Sequence, residues 1–266
     1  MTTSSHATAV RFTGVARSFR GYTAVRGVSL EVKSGSFLSV VGPSGCGKST
    51  LLNIAAGLTK PTEGAVEIFG QPLNGINRKA AYMFQQDALL PWKTVLGNIT
   101  LGLEFRAADP RQAVQSAQTW IHRVGLDGFR DHYPHQLSGG MRKRVAMAQT
   151  WIVDPAIVLM DEPFSALDVH TRLLMEGEIL ALWAESTKTV MFVTHDLEEA
   201  IALSDEVVVL SAGPASHVVG VYKVGLKRPR NLIDIKTDPL FVDIYRSIWR
   251  DLREEVLKSY DRGEKA

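Results

Sequence analysis

One stretch of the sequence, residues 42–50 (GPSGCGKST), has the residue types and the spacing that bind a polyphosphate. It fits the pattern G-x-x-x-x-G-K-[ST], in which glycines let the backbone curl so that successive N–H groups point at phosphate oxygens. Lys48 would bring a positive charge to the β- and γ-phosphates, and Ser49 would bring a hydroxyl to Mg²⁺. The residues of this loop that we expect to contact a nucleotide are Gly42, Pro43, Ser44, Gly45, Cys46, Gly47, Lys48, Ser49 and Thr50.

A pair of carboxylates, Asp161 and Glu162, follows the apolar run at residues 157–160. Ligands of α/β sheets bind at the carboxyl ends of the strands, so this pair would lie beside the phosphate loop. There Asp161 would support Mg²⁺, and Glu162 would orient or deprotonate an attacking water. An acidic pair alone is common in solvated loops, so this interpretation depends on the phosphate loop.

A third motif, residues 137–141 (LSGGM), offers a second place for an anion. Ser138, Gly139 and Gly140 open a predicted helix, where the first backbone N–H groups have no partner inside the helix. One chain needs only one such cradle for one triphosphate. The second would therefore cover a nucleotide that another copy of the chain holds; the alternative is an ordinary helix cap.

The elements around the phosphate loop are those that a nucleotide site needs. Residues 37–41 form an apolar run typical of a buried strand, and residues 49–57 have the spacing of a helix. The positive end of that helix dipole would point at the phosphates. We therefore favour a nucleotide site over the alternative of a glycine-rich turn.

Strands alternate with helices along most of the chain, which predicts an α/β fold with a mostly parallel sheet. A stretch with only helices, from about residue 91 to 153, would be an inserted subdomain. The helix predicted at 238–258 packs on its own domain or binds a partner. Strands are predicted at residues 10–12, 28–32, 37–41, 64–69, 80–84, 156–160, 189–193 and 206–210, and helices at 49–57, 109–124, 137–153, 169–185, 196–203 and 238–258.

The composition of the 266 residues is that of an ordinary globular protein, with 45% hydrophobic and 22% charged residues. The formal net charge of +2 indicates no general attraction to nucleic acid, and we expect no nucleic-acid partner. Residues 1–8 are polar, lack the pattern of a secretion signal and are predicted to be a disordered tail. Cys46 is the single cysteine, so no internal disulfide can form. These features favour a cytosolic location without a transmembrane segment.

The ordered set of motifs resembles the ATP-binding subunits of ABC transporters. The motifs that carry the resemblance are residues 42–50 (Walker A), Gln85 in 82–86 (the Q-loop), 137–141 (the signature motif), 157–162 (Walker B), 165–168 (the D-loop) and His195 (the switch histidine). The resemblance implies a RecA-like P-loop NTPase core, an N-terminal antiparallel β subdomain and an inserted α-helical subdomain at about 91–153. The ATPase domain would span residues 9–230, and residues 231–266 would form a C-terminal helical extension.

The same resemblance implies roles for individual residues, with ATP and Mg²⁺ as the bound groups. Glu162 would be the general base, while His195 and Lys48 would contact the γ-phosphate. Gln85 would sense Mg²⁺ and link the site to a membrane partner. The metal would be held by Ser49, Gln85 and Asp161. The ATP of a second copy would be contacted by Ser138, Gly139 and Gly140. Asp168 would lie at the dimer seam. Phe19, or alternatively Tyr22, would stack on the adenine.

Finer features resemble the importers of nitrate, aliphatic sulfonates and taurine, namely residues 89–92 (LLPW), Met141, 163–168 (PFSALD) and 227–230 (KRPR). This implies an ATP-hydrolysing importer subunit at the cytoplasmic face of the inner membrane. Its partners would be a second copy of itself, integral membrane permease subunits and an extracytoplasmic solute-binding protein. The alternative is an ABC-type ATPase that powers export or a non-transport process. The chain departs from the family at Lys143, where glutamine is frequent, and at Gln149, where arginine is common.

Overall fold

A six-stranded sheet forms the centre of the computed structural model, which describes residues 7–186 and 188–263. Its strands are β3 (Phe37–Val41), β6 (Ala80–Met83), β7 (Ile157–Asp161), β8 (Thr189–Val193), β9 (Glu206–Leu210) and β10 (Val218–Lys223). They lie in the order β10-β9-β3-β8-β7-β6, and every neighbouring pair is parallel except β10 with β9. Strands β3, β7 and β8 are buried along their whole length, which explains their continuous apolar sequences.

A second, antiparallel sheet is built from the N-terminal part of the chain. Its strands are β1 (Thr8–Phe19), β2 (Tyr22–Lys33), β4 (Glu63–Ile68) and β5 (Gln71–Pro72), in the order β2-β1-β4-β5. The first two strands are 12 residues long, far longer than the predicted segments at 10–12 and 28–32. Register shifts between Phe12 and Val15 and between Val15 and Arg17 break the simple alternation of apolar residues, which hid their true length.

The seven α-helices of the described residues lie beside the sheets. They are α1 (Lys48–Ala55), α2 (Val95–Phe105), α3 (Pro110–Arg123), α4 (Gly139–Trp151), α5 (Val169–Glu185), α6 (Leu197–Leu203) and α7 (Pro239–Gly263). One hydrophobic core joins α1 and the antiparallel sheet to one face of the central sheet, through residues such as Phe12, Leu51 and Met191. The other core joins that sheet's opposite face to the remaining helices, through residues such as Ile99 and Phe192.

Three helices, α2 to α4, occupy the stretch between β6 and β7, where the sequence pattern predicts only helices. Asp109 caps α3 because its Oδ1 accepts hydrogen bonds from the N–H groups of Arg111 and Gln112 at 3.0 Å. Buried residues of all three helices, among them Ile99, Ala117 and Val145, lie in the same hydrophobic core. The boundaries of an inserted subdomain at about 91–153 and of the domain at 9–230 stay predictions.

The long C-terminal helix α7 packs on its own chain. Phe241, Ile248 and Leu252 are buried in the core that also contains α6 and β9. Glu255 adds a polar contact, because its Oε2 accepts a hydrogen bond from the Ala212 N–H at 2.8 Å. The structure therefore favours the first of the two interpretations of this segment.

Two further expectations concern the ends of the chain and the membrane. The predicted tail at 1–8 falls mostly on residues 1–6, which lie outside the described residues, while Thr8 already belongs to β1. Across residues 7–186 and 188–263, no helix combines the length and the apolar character that crossing a membrane requires.

Glu176 on α5 is a buried acid with charged neighbours, and its titration makes the stability of the protein depend on pH. Burial, and next the charge of Glu199 on α6, raise its pKa to about 7 from the ordinary 4.5. Asp196 also raises this pKa, whereas Lys236 and Arg172 lower it. The folded chain thus retains a proton that the unfolded chain releases. The contribution of Glu176 to the free energy of unfolding is therefore fully present at and below about pH 4.5, and it is lost as the pH rises to about 7.

We expect Glu176→Gln to stabilise the protein above pH 7 by about 1–3 kcal/mol and to have little effect near pH 5, because glutamine resembles the protonated acid. Urea unfolding at pH 5 and pH 8 measures the difference. The matched control is Glu185→Gln on the same helix, where the acid is exposed. An equal gain at both pH values would contradict the assigned titration.

Candidate nucleotide site

The phosphate loop lies between β3 and α1, as the sequence predicts. Gly47, directly before α1, has a φ of +93°, a region that favours glycine. A Cβ at Gly47 would also lie 2.6 Å from Cγ1 of Val25, so the packing leaves no room for a side chain. Lys48 is buried, and its Nζ donates hydrogen bonds to the carbonyl oxygens of Gly42 at 2.9 Å and Pro43 at 3.0 Å. Its ammonium therefore lies across the loop, where phosphates would bind.

Asp161, at the end of β7, lies beside the first turn of α1. Its Oδ1 accepts a hydrogen bond from Ser49 Oγ at 2.9 Å, and its Oδ2 accepts one from the Tyr82 hydroxyl at 3.2 Å. Burial raises the pKa of Asp161, and burial together with this carboxylate raises the pKa of Tyr82. A hydroxyl and a carboxylate within hydrogen-bond distance are hard oxygen donors that fit Mg²⁺.

Glu162, Gln85 and His195 come together from three different connections at the carboxyl ends of the strands. Oε2 of Glu162 accepts a hydrogen bond from Gln85 Nε2 at 3.3 Å and lies 3.2 Å from His195 Nδ1. The backbone of Glu162 has a φ of +42°, which is uncommon for a residue with a side chain. Its N–H donates to the carbonyl oxygen of Val193 at 2.9 Å, and this bond to β8 helps to hold the unusual conformation.

A cavity of about 420 Å³ lies between Gln85, Glu162, the phosphate loop and the N-terminal sheet, and neither Asp161 nor His195 lines it. Phe19 and Tyr22 line its outer end, with 43% and 47% of their surface exposed. The Arg17 guanidinium lies 4.4 Å from the centre of the Phe19 ring, and the Tyr22 hydroxyl donates to the Gly45 carbonyl oxygen at 3.3 Å. The lining residues are Phe19, Tyr22, Ala24, Ser44, Gly45, Gly47, Lys48, Ser49, Thr50, Gln85 and Glu162.

Three of the predicted loop contacts, Gly42, Pro43 and Cys46, do not line this cavity. Cys46 is fully buried in the core shared with the antiparallel sheet, and burial raises the pKa of its thiol. A buried thiol with a raised pKa reacts slowly. The contribution of Cys46 to nucleotide binding would therefore come from its backbone.

The predicted partner-facing residues Ser138, Gly139, Gly140 and Asp168 also lie outside the cavity of their own chain. Ser138 caps α4, since its Oγ accepts a hydrogen bond from the Met141 N–H at 3.3 Å, and Gly139 and Gly140 form the first turn of this helix. Asp168 caps α5, and the hydrogen bond from the Thr171 N–H lowers the pKa of its carboxylate. One chain thus places its phosphate loop and Glu162, but not its signature motif, around its cavity.

Tyr82 is a site residue that its sequence motif, residues 82–86, does not single out. It lies on β6, three positions before Gln85, and β6 pairs in parallel with β7. Its contact with Asp161 depends on the order of the strands, which no local pattern in the sequence gives. A polar ring in an otherwise apolar strand was the one available signal.

Comparisons with known proteins agree with this geometry. The family described as ABC transporter matches residues 25–165. An uncharacterized ABC transporter ATP-binding protein of Methanocaldococcus jannaschii is 48% identical over 236 residues, which cover 89% of this chain and 86% of that protein. The taurine import ATP-binding protein TauB of Yersinia pestis is 42% identical over 205 residues, which cover 77% of this chain and 80% of TauB.

A solved dimeric structure of an ATP-binding cassette in a post-hydrolysis state, bound to ADP and Pi, has the same fold. It matches with a TM-score of 0.73 and 34% identity, over 82% of this chain and 100% of that one. The predicted α/β fold, with its parallel sheet, antiparallel sheet and helices, is thereby confirmed. This chain belongs to the ABC transporter family as an ATP-binding cassette, and it is an ATPase.

Proposed function

We propose that this chain is the ATP-hydrolysing subunit of an importer for a small solute, and that two copies enclose two ATP molecules head to tail. One observation carries the proposal: Gln85 and His195 both contact Glu162, and Gln85 and Glu162 line the same cavity as Lys48 and Ser49. A module that only binds nucleotide needs no carboxylate beside the γ-phosphate position.

The residues of the chain divide the chemistry among them. Lys48 and the loop N–H groups bind the phosphates, and the helix dipole of α1 adds positive potential. Glu162 accepts a proton from the attacking water, while His195 and Gln85 hold the water and the carboxylate in place. Mg²⁺, which Ser49, Asp161 and Gln85 would hold, supplies charge neutralisation at the β- and γ-phosphates when bound.

The second copy would complete the site. Ser138, Gly139 and Gly140 are free of their own chain's cavity, and the N-terminus of α4 can present its N–H groups to the nucleotide of a partner. Asp168 would lie at the seam between the copies. A solved relative of this fold is dimeric, which supports the same arrangement here.

The membrane partners follow from the importer assignment. The name of TauB supports an importer, and taurine, sulfonates and nitrate are all candidate solutes. A permease would dock near residues 85–92, at the cytoplasmic face of the inner membrane, and a solute-binding protein outside would select the cargo. Within this segment Trp92 is 71% exposed and fits such a contact, whereas Leu89 is buried and packs in the core.

Uptake by the native host tests the importer assignment. Cells that carry Lys48→Ala in place of the wild-type residue are given radiolabelled taurine, an aliphatic sulfonate or nitrate in turn. We expect the uptake of one of these solutes to fall to the level of a deletion strain. Unchanged uptake of all of them would favour export or a process other than transport.

The adenine contact can be assigned by single substitutions at Phe19 and Tyr22. We expect Phe19→Ala to weaken ATP binding by about tenfold, because stacking on a base contributes about 1–3 kcal/mol. Tyr22→Ala should change the affinity less than threefold. Titration with a fluorescent ATP analogue measures both, and the reverse order of effects would assign the stacking role to Tyr22.

A further inference from the structure

Lys143 is a buried cation in the helix that follows the signature motif. Only 3% of its side chain is exposed, although it lies in the second turn of α4. Its Nζ donates a hydrogen bond to the carbonyl oxygen of Gln85 at 2.7 Å and lies 3.5 Å from that of Phe84. The ammonium also lies 3.0 Å from Oδ1 of Asp87. All these partners belong to the segment after β6, so one side chain ties α4 to that segment.

Asp87 adds a second contact between this segment and α4. Its other oxygen, Oδ2, accepts a hydrogen bond from Arg142 Nε at 3.0 Å, so two successive cations of α4 share one carboxylate. Only 18% of the Asp87 side chain is exposed. An ammonium buried to this degree is stable only when it is paired, so removal of Asp87 would leave the Lys143 charge without compensation, whereas removal of Lys143 leaves Asp87 paired with Arg142. The two segments are therefore held in one relative position.

The contact between Lys143 and Gln85 lies between the catalytic group at Glu162 and the signature motif at the start of α4. On one side, the side chain of Gln85 reaches Glu162, at a distance of 3.3 Å. On the other side, Ser138 caps the same helix that carries Lys143. A helix transmits displacement along its axis as a rigid element, so a shift of the Gln85 backbone would move Ser138 as well.

We propose that Lys143 is a positioning residue that locks the backbone of Gln85 to the signature helix, so that nucleotide sensed at Glu162 in one copy sets the position of Ser138 against the nucleotide of the other copy. This inference rests on the proposed function. Lys143 touches no phosphate-binding group; it acts through Gln85, Asp87 and α4.

The decisive variant is Lys143→Met, which keeps the length of the side chain and removes its charge and its donors. We expect ATP turnover to fall by about tenfold, the size of effect that loss of one hydrogen bond to a charged group produces. The affinity for ATP should stay within twofold, because Lys48 and the phosphate loop are untouched. Steady-state phosphate release and titration with a fluorescent ATP analogue measure kcat and affinity separately.

Amide hydrogen exchange measures a coupling that would be unchanged if Lys143 only stabilised the fold. In the wild type, Mg-ATP should protect the amides of residues 84–87 and those of residues 138–142 together. In Lys143→Met, the first group should gain protection and the second should not. Lys143→Gln can donate to the Gln85 carbonyl but leaves Asp87 with Arg142 in place of two cations, so the double variant Lys143→Gln with Asp87→Asn should recover part of the turnover.

Arg144→Met is the matched control on the same helix. Arg144 also joins a carbonyl oxygen, that of Val124 at 2.7 Å, to a carboxylate, that of Glu178 at 2.6 Å. We expect its turnover to stay within twofold of wild type. If Lys143→Met does not fold, the Lys143→Gln single and double variants decide the question by the same measurements.

Two results would overturn the inference: Lys143→Met with wild-type turnover and joint protection, or equal losses in Lys143→Met and Arg144→Met. Failure of the proposed shared site looks different, because the wild type would then still hydrolyse ATP, but its residues 138–142 would gain no protection with Mg-ATP.

Discussion

Glu162→Gln is expected to lower ATP turnover by about 10²–10⁴-fold, the usual contribution of a positioned general base. Glutamine keeps the shape of the side chain, and its amide can still contact Gln85 and His195, which lie 3.3 Å and 3.2 Å from Glu162 Oε2. It cannot accept a proton from water. The affinity for ATP should therefore change less than threefold. Phosphate release and equilibrium titration measure the two quantities.

The control for this variant is Glu185→Gln, which removes an exposed carboxylate at the end of α5, far along the chain from the cavity lining. Its turnover should equal that of the wild type. Turnover of Glu162→Gln within tenfold of the wild type would remove Glu162 from the role of base and leave His195 as the remaining candidate at this position.

Lys48→Met should weaken ATP binding by about 100-fold, since charge-assisted hydrogen bonds contribute about 1.5–3 kcal/mol each. Methionine retains most of the buried aliphatic length, so α1 should still pack normally. The ammonium that now donates to the carbonyl oxygens of Gly42 and Pro43 would be lost, and with it the charge that faces the phosphates. Isothermal titration with Mg-ATP measures the change.

Lys33→Met serves as its control, because the Lys33 ammonium is half exposed and pairs with Glu206 at 3.0 Å on the protein surface. Its affinity for ATP should be that of the wild type, as surface ion pairs contribute little. A Lys48→Met variant that binds ATP as tightly as this control would contradict the assignment of the phosphate loop.

The sequence predicts those parts of the fold that short, local patterns determine. Strands β8 and β9 and helix α5 have the bounds that their apolar runs and periodicity predict. Ser138, Asp109 and the phosphate loop also lie where their sequence motifs place them, because caps and loops depend on neighbouring residues.

Contacts between distant segments could not be predicted from local patterns. Strand β10 is not predicted by the sequence pattern. It lies at the sheet edge, where its side chains alternate between half-buried and exposed positions, and Val219 and Val221 are partly exposed to solvent. The partners of Tyr82 and Lys143 depend on which strands and helices are neighbours. Lys143 stood out as a departure from the family, yet its burial and its tie to Gln85 emerge only when α4 packs against β6.

The most direct test of the account measures the mass of Glu162→Gln in solution with and without Mg-ATP, by analytical ultracentrifugation. A chain of 29.2 kDa that shares its nucleotide with a second copy should sediment as a monomer without ATP and at twice that mass with it. Lys48→Met should remain monomeric in both conditions. A Glu162→Gln sample that is saturated with Mg-ATP and still sediments at the mass of one chain would contradict the shared site.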